Sequence, residues 1–191
     1  MDASVKIELL SEAAADALLD HSERVLGESG RDGVPIFHVY DEATPWTRDR
    51  ARIVDRWARP LNRYADAPRP EAELGWTRTF GLWVDGEIRG ATSLWGNTLR
   101  SAFHRVNLSL GVERAHHGLG YGTRLMEAAR EWATSEGFEY IDLFVFEGND
   151  PAIALYRKLG YVETGRAPDR WRIAGKRIGD LTFALPLRAK G

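Results

Sequence analysis

Three glycines alternate with other residues in a short stretch that could bind a phosphate group. Gly118, Gly120 and Gly122 lie between a predicted strand and a predicted helix. Because glycine has no Cβ, consecutive backbone N–H groups can converge on one point there. The start of the helix adds N–H donors without partners and about half a positive charge. The stretch is therefore compatible with a pyrophosphate site, although glycines also serve tight turns and close packing.

Three kinds of nucleotide-type site contain a glycine-rich turn. A Walker A loop requires Gly-Lys-Ser/Thr, and the run Gly175-Lys176-Arg177 differs from it in residue type and in spacing. A dinucleotide fingerprint requires G-x-G-x-x-G, but Thr123 stands at its last position, and the preceding strand is not the first of a βαβ series. The third kind, a coenzyme A pyrophosphate site, requires a second motif further along the chain.

Such a second motif begins about two dozen residues later, after a short apolar strand. It starts at Asn149 and reads Asn-Asp-Pro-Ala-Ile-Ala-Leu-Tyr-Arg-Lys-Leu-Gly-Tyr. An asparagine followed by a proline is typical of a helix start, and Gly160 is typical of a helix end. Together, a glycine turn and a capped helix separated by one strand are far more specific than either motif alone.

The two motifs resemble those of the GNAT superfamily of acyl-CoA-dependent N-acyltransferases, and the resemblance extends from about Thr77 to Leu187. The family's glycine signature is Arg or Gln, two residues, Gly, one residue, then Gly or Ala. The stretch from His117 to Gly122 matches it except at the first residue, where histidine replaces Arg or Gln. Since the charge of histidine depends on pH, we expect coenzyme affinity to be weakened or pH-sensitive.

The resemblance implies acetyl-CoA as the co-substrate and no metal. The chain has no cysteine, which agrees with direct attack of an amine on the thioester. His104, His116 and His117 do not suggest a metal site, since adjacent histidines seldom bind one metal. The residues implied to contact the coenzyme are Leu110, Gly111, Val112, His117, Gly118, Leu119, Gly120, Tyr121, Gly122, Thr123, Asn149, Ala152 and Tyr156.

Catalytic roles are implied by the same resemblance. Tyr156 matches the general acid, and a phenol with a pKa of about 10 stays protonated at neutral pH. The N–H of Val112, in the strand before the glycine turn, matches the donor that stabilises the tetrahedral oxyanion. A base must also deprotonate the amine, yet that strand holds no carboxylate. The candidates left open for the base are His104, Glu113, Asn107 acting through water, and Glu147.

Apolar periodicity predicts the elements that position these residues. Strands are predicted at Val5–Leu9, Thr77–Val84, Glu87–Trp95, His104–Val112, Ile141–Phe146, Tyr161–Thr164, Trp171–Ile173 and Leu181–Leu187. Helices are predicted at Glu12–Val25, at Thr47–Arg59, from the glycine turn to Ser135, and from Asn149 to Gly160. This order indicates an α/β (α+β) fold with helices on both faces of a mixed sheet. The resemblance implies a GNAT-type, mostly antiparallel twisted sheet.

Length and composition limit the class of protein. The 191 residues predict a single domain over 1–191. A net charge of −2 gives no electrostatic case for nucleic-acid binding. No apolar run reaches the roughly 20 residues of a membrane helix. The acidic N-terminal residues interrupt any signal-peptide segment, so a cytoplasmic protein is expected, either a monomer or a homodimer.

The acceptor is expected to be a primary amine of a small molecule or peptide. In the family, elements near the first helices bind it, which directs attention to the segment 28–76. There, Asp41 and Glu42 could attract a cationic acceptor or belong to a solvated loop. An acyl-CoA-binding or regulatory module without turnover, and a nucleotide-binding oxidoreductase, remain as alternative functions. The other residues of interest in the segment are Phe37, His38, Tyr40, Trp46 and Trp57.

Overall fold

A computed structural model describes residues 4–30, 46–64, 66–67, 69–173 and 175–187. The helices are α1 (Ala15–Glu28), α2 (Arg50–Ala58), α3 (Tyr121–Ser135) and α4 (Asp150–Lys158). The strands are β1 (Val5–Leu9), β2 (Thr77–Val84), β3 (Glu87–Gly96), β4 (Arg105–Val112), β5 (Tyr140–Phe146), β6 (Val162–Ile173) and β7 (Lys176–Pro186). Within this part of the chain they form one sheet in the order β1-β2-β3-β4-β5-β7-β6. Among the described strands only β4 and β5 are parallel neighbours, so the mixed, mostly antiparallel sheet is confirmed.

Most elements lie where periodicity predicts them, and the C-terminal hairpin is the main exception. The predicted strands β2 and β3 are joined by a tight hairpin at Asp85-Gly86, with φ of +50° and +86°. The two short strands predicted at Tyr161–Thr164 and Trp171–Ile173 are wrong, because both belong to the one long strand β6. β6 pairs with β7 through two register irregularities, which interrupt the alternation of apolar and polar residues.

Helices cover both faces of the sheet, as predicted. On one face, Leu94 of β3 and Leu125 of α3 lie fully buried in the main core cluster. On the other face, Ile88 of β3 packs in a second cluster with Leu18 of α1 and Ile53 of α2. A β-bulge lets β3 serve both clusters: Leu82 pairs with Gly90 and Trp83 with Ile88, so one extra residue reverses the alternation of faces between Leu94 and Ile88.

The sheet opens between its two parallel strands. β4 pairs with β5 only where Arg105, Val106 and Asn107 lie beside residues 140–142. An ion pair from Arg105 to Asp142, with N–O distances of 2.7 and 2.5 Å, fastens this paired end. Beyond it, β4 continues to Val112 and β5 to the end of its own range without pairing to each other. The glycine turn and α3 come directly after β4, so both begin at the open end of this split.

Candidate active site

A cavity of about 920 Å³ extends from the split between β4 and β5 to the face of the sheet covered by α1 and α2. We divide it into a split cleft and a chamber. The split cleft is lined by residues 108–112, 116–118, 120–123, 144–146, 149, 151–152 and 155–156. The chamber is lined by residues 18, 21–22, 25–26, 46, 52–53, 56–57, 77, 79, 91, 93 and 95.

The end of β4 turns backbone N–H groups towards the split cleft. The N–H of Glu113 donates to the carbonyl of Arg89 in β3 at 3.0 Å. Because hydrogen-bonded pairs alternate along antiparallel strands, the N–H groups of Leu110 and Val112 point away from β3. They face the side from which β5 has separated. The carbonyl of Val112, in contrast, has a partner: it accepts a hydrogen bond from Nε2 of His117 at 2.8 Å.

The glycine turn presents open backbone at the start of α3. Gly118 and Gly120 have φ of +76° and +77°, a region that favours glycine. A Cβ at either position would meet nothing within 4 Å, so the space in front of the turn is free. Gly120 is the N-cap of α3 and no side chain caps the helix, which leaves N–H donors for an anion. Gly122 serves packing, because a Cβ there would lie 3.1 Å from Leu155.

Tyr156 reaches the split cleft from α4. It is 6% exposed, and its ring lies 5.9 Å from Tyr161 and 6.1 Å from Phe183, between ring centroids. Burial raises the pKa of Tyr156 to about 12, so the hydroxyl keeps its proton at any physiological pH. Asn149 caps α4 by accepting a hydrogen bond from the N–H of Ala152 at 3.4 Å. The predicted helix cap is therefore present, and both of these residues also line the cleft.

The structure brings nearly all of the predicted coenzyme contacts together around the split cleft. Only the side chain of Leu119 does not line it, since this residue is 58% exposed. His117 is also exposed, and its ring bonds to the strand end through Nε2, which leaves Nδ1 as the one ring nitrogen able to meet a phosphate.

The structure corrects His104 as a candidate base. This residue precedes the first position of β4, about 26 Å from the far end of a strand of that length. Its ring lies 6.3 Å from that of Tyr64 and 6.2 Å from that of Tyr140, between centroids. Asn107 and Glu147, the other open candidates, do not line the cavity either. Their positions argue against a proton-accepting role for all three residues.

The structure also corrects Glu113 as a candidate base. Its carboxylate accepts hydrogen bonds from Nδ1 of His21 at 3.0 Å, from Nε of Arg24 at 2.8 Å and from Arg89 at 3.1 Å. Burial acts to raise the pKa of Glu113, but these hydrogen bonds outweigh it and hold the pKa below its usual range. A carboxylate stabilised in its charged form is a poor proton acceptor. Its role is to fasten the end of β4 to α1 and β3.

His21 is the functional candidate that the sequence did not single out. It is 3% exposed and lines the chamber from α1. Burial lowers its pKa, and Arg24 lowers it further, against the opposing effect of the bond to Glu113. The lowered pKa favours the neutral ring at pH 7, and in the tautomer whose Nδ1–H donates to Glu113 the lone pair lies on Nε2. The backbone of Gly111 also hydrogen-bonds to the ring. In the sequence, helical spacing was the signal that could have indicated a buried His21, because this residue shares the buried face of α1 with Leu18 and Val25.

The charged side chains that line the chamber are cationic. Arg52 and Arg56 of α2 contribute to its wall, and no Asp or Glu of the described ranges does so. Of the aromatic residues predicted near the acceptor, Trp46 and Trp57 line the chamber. The remaining candidates of that region lie outside the described residues, namely Phe37, His38, Tyr40, Asp41 and Glu42.

Two other kinds of feature are absent from the described residues. No three side chains among His, Cys, Asp and Glu come together there in a group that could hold a metal ion. None of the four helices has the length and apolarity needed to cross a bilayer.

A split parallel pair, a glycine turn at a helix start and a buried tyrosine facing the same cleft define an acyl-coenzyme transferase. The model of the acetyltransferase (GNAT) family matches residues 37–161, which is more than half of the chain. The chain belongs to the GNAT family and is an acyl-CoA-dependent N-acetyltransferase.

Two curated relatives are similar to parts of this chain. The putative phosphinothricin acetyltransferase YwnH of Bacillus subtilis is 27% identical over 117 residues, covering 56% of this chain and 72% of YwnH. A streptothricin acetyltransferase of Escherichia coli is 35% identical over 89 residues, covering 45% of this chain and 48% of the relative. The chain thus spans about half the length of that second relative.

Solved structures share the fold over nearly the whole chain. A GNAT-family acetyltransferase from Streptococcus pneumoniae has a TM-score of 0.78 and 21% identity, covering 96% of this chain and 99% of the other. YncA of Salmonella typhimurium, solved with acetyl-CoA, has a TM-score of 0.74 and 18% identity, covering 96% and 94%. At these identities the likeness establishes the fold.

Proposed function

We propose that the protein transfers the acetyl group of acetyl-CoA directly to a primary amine of a small molecule or peptide. The observation that carries this proposal is the continuity of the cavity from the split cleft to the chamber. A coenzyme in the cleft and an amine in the chamber would meet at the end of β4. YncA, whose structure holds acetyl-CoA, supports the choice of co-substrate.

The coenzyme is held mainly by backbone groups in this proposal. The first-turn N–H groups of α3, exposed by Gly118 and Gly120, bind the pyrophosphate. The N–H of Leu110 faces the gap left by β5 and can pair with an amide of the pantetheine arm, as a neighbouring strand would. The acyl end then lies beside Val112 and Tyr156, which line the same cleft.

The reaction needs a base, an oxyanion donor and a donor to the leaving sulfur. As the amine nitrogen bonds to the thioester carbon, the N–H of Val112 donates to the carbonyl oxygen, where negative charge develops. The C–S bond then breaks, and the hydroxyl of Tyr156 donates to the sulfur. The proton lost by the nitrogen goes to Nε2 of His21, directly or through a water molecule.

His21 suits the role of base because its lowered pKa keeps it unprotonated at neutral pH. A lysine-type amine has a pKa of about 10.4 and is protonated at pH 7, so it must lose protons to a group that is itself unprotonated. Glu113 orients the ring through Nδ1 and stabilises the imidazolium that forms when Nε2 takes the proton. The buried carboxylate thus acts through His21.

A thiol-release assay with a panel of amines tests the proposal. Tyr156→Phe should lower kcat by about 100-fold, while the Kd of acetyl-CoA changes by less than about threefold. Tyr161→Phe is the matched control: its ring packs on Tyr156, but its buried hydroxyl has no partner in the described residues and does not line the cavity. Equal kcat for Tyr156→Phe and wild type would remove the acid role. Tight acetyl-CoA binding without thiol release for any amine would overturn the proposed function.

A further inference from the structure

Two arginines on α2 face the chamber without a carboxylate partner in the described residues. Arg52 and Arg56 are four residues apart, so they share one face of the helix, and both line the cavity. Arg52 is exposed. Arg56 is half-buried, and its Nε donates to the carbonyl of Gly75 at 3.0 Å. That bond fixes the guanidinium and leaves its terminal N–H groups for another acceptor.

Carboxylates are present near α2, although none of the described residues pairs with Arg52 or Arg56. Arg50, on the same helix, pairs with Glu12 at 3.2 Å and with Asp16 at 3.3 Å. Arg59, just after the helix, pairs with Asp55 at 2.8 Å. Arg50 and Arg59 are therefore neutralised, whereas no carboxylate of the described residues pairs with Arg52 or Arg56.

The surroundings of Arg56 favour an anion. Burial lowers its pKa, and the neighbouring charges of Arg52 and Arg59 lower it further, against a smaller opposing effect of Asp55. A partly desolvated cation beside like charges is stabilised when an oxyanion binds, because charge-assisted hydrogen bonds form and the like charges are offset. The planar guanidinium also matches the geometry of a carboxylate or phosphorus oxyanion.

We propose that the acceptor amine also carries an anionic group, a carboxylate or a phosphorus oxyanion, which binds to Arg52 and Arg56. This inference rests on the proposed function and names the class of its acceptor. The amine faces the end of β4, and the oxyanion faces α2. Trp46 and Trp57 also line the chamber, so it favours an acceptor that carries an apolar group besides the oxyanion. A polyamine would instead bring positive charge to a wall that already carries two cations.

Matched acceptors separate the anionic group from the amine. Phenylalanine, its phosphonic-acid analogue, phenylalaninamide and spermidine are compared by thiol release with wild-type enzyme. We expect kcat/KM to be at least about tenfold higher for an anionic acceptor than for the neutral amide, and lowest for spermidine. Preference between the first two compounds distinguishes a carboxylate site from a phosphorus oxyanion site.

Substitutions on α2 test whether Arg52 and Arg56 bind the anionic group of the acceptor. Arg52→Gln and Arg56→Gln should each raise KM for the anionic acceptor by about tenfold, with little change for the amide. Arg56→Lys keeps the charge and checks that any loss is not caused by misfolding. Arg50→Gln is the control, because it removes the same charge from the outer face of α2 and should leave both acceptors unaffected.

The outcomes distinguish the two proposals. Thiol release that is equal for the acid, the amide and spermidine, and insensitive to Arg52→Gln and Arg56→Gln, would overturn the anionic acceptor while acetyl transfer stands. A rise in the Kd of acetyl-CoA in these variants, without a change in acceptor KM, would assign the arginines to the coenzyme and also overturn it. Absence of thiol release with all four compounds and a wider amine panel would overturn both proposals.

Discussion

The split cleft and the chamber belong to one cavity but are built from different parts of the chain. The cleft combines backbone groups of β4 and the glycine turn, which are close in sequence, with side chains of β5 and α4. The chamber consists mainly of side chains from α1, α2 and the β2–β3 hairpin, three parts that are separated from one another in the chain. Backbone recognition suits a constant group such as a pyrophosphate, whereas side chains can be exchanged to suit a different acceptor. Substitutions in the two parts should therefore change different kinetic quantities.

The largest effect is expected at His21 in the chamber. His21→Gln removes the proposed proton acceptor and should lower kcat by about 100-fold, while the Kd of acetyl-CoA stays within about twofold. In the wild type, kcat should fall as the pH drops below about 6.5, because burial lowers the pKa of His21 and the ring must be neutral to act. Steady-state kinetics from pH 5 to 8 measures both effects.

His116→Gln is the control for this comparison, since the ring of His116 lines the cavity and stacks on Tyr121 at 6.2 Å, while only its backbone N–H bonds to Glu113, at the carbonyl. It should keep the wild-type kcat. A normal kcat for His21→Gln would show that the chamber holds no base, and the proposed route of the amine proton would have to be abandoned.

A smaller effect is expected at Gly120 in the cleft, and it should change the Kd of acetyl-CoA rather than kcat. Gly120→Ala places a Cβ in the open space before the turn at a positive φ, so the Kd of acetyl-CoA should rise by about tenfold. Gly137→Ala is matched to it, because Gly137 ends the same helix with φ of +81° and equally open space. Both variants should lose about 1 kcal/mol of stability, but only the first should lose affinity. Titration calorimetry measures the Kd of acetyl-CoA, and urea unfolding measures stability. Equal affinities of Gly120→Ala and Gly137→Ala for acetyl-CoA would contradict the proposal that the glycine turn binds the pyrophosphate.

The third effect concerns stability and is expected at the hydrogen-bonded pair of His21 and Glu113, where α1 meets the end of β4. The folded pKa of His21 is lowered, so the unfolded chain binds more protons below about pH 6.5 and the free energy of unfolding falls as the pH falls. The pKa of Glu113 is also lowered, and its contribution is present above about pH 4.5 and lost as the pH falls through its folded value. Urea unfolding should therefore show decreasing stability from pH 7 to pH 4. His21→Gln should remove the slope between pH 6.5 and 5; an unchanged slope would assign it to other groups.

The smallest effect is expected at His117, on the exposed rim of the cleft. His117→Ala should raise the Kd of acetyl-CoA by about two- to fivefold, because it removes a polar ring beside the glycine turn while the backbone donors stay in place. An unchanged Kd in the variant would leave the ring only its bond to the Val112 carbonyl.

The cleft could be predicted from sequence because its residues are close together and their types are constrained. The glycine turn needs residues without a Cβ, and α4 needs the cap that Asn149 provides, so both are visible as short motifs. The chamber could not be predicted in this way. His21 and Arg56 stand on different helices, and nothing in the spacing along the chain indicates that both line one cavity. For the same reason Glu113 was a candidate base, since its bonds to Arg24 and Arg89 exist only in the folded protein.

The split between β4 and β5 has a consequence for the lifetime of the folded protein. Backbone groups left open in the middle of a sheet are a weak point, because native proteins rarely leave them unpaired. A ligand that fills this gap with its own amides would act as a missing strand. By mass action, it would add about 2.7 kcal/mol to the free energy of unfolding at one hundred times its Kd. The supply of its own co-substrate would then help to decide how long each copy of the enzyme resists unfolding and proteolysis.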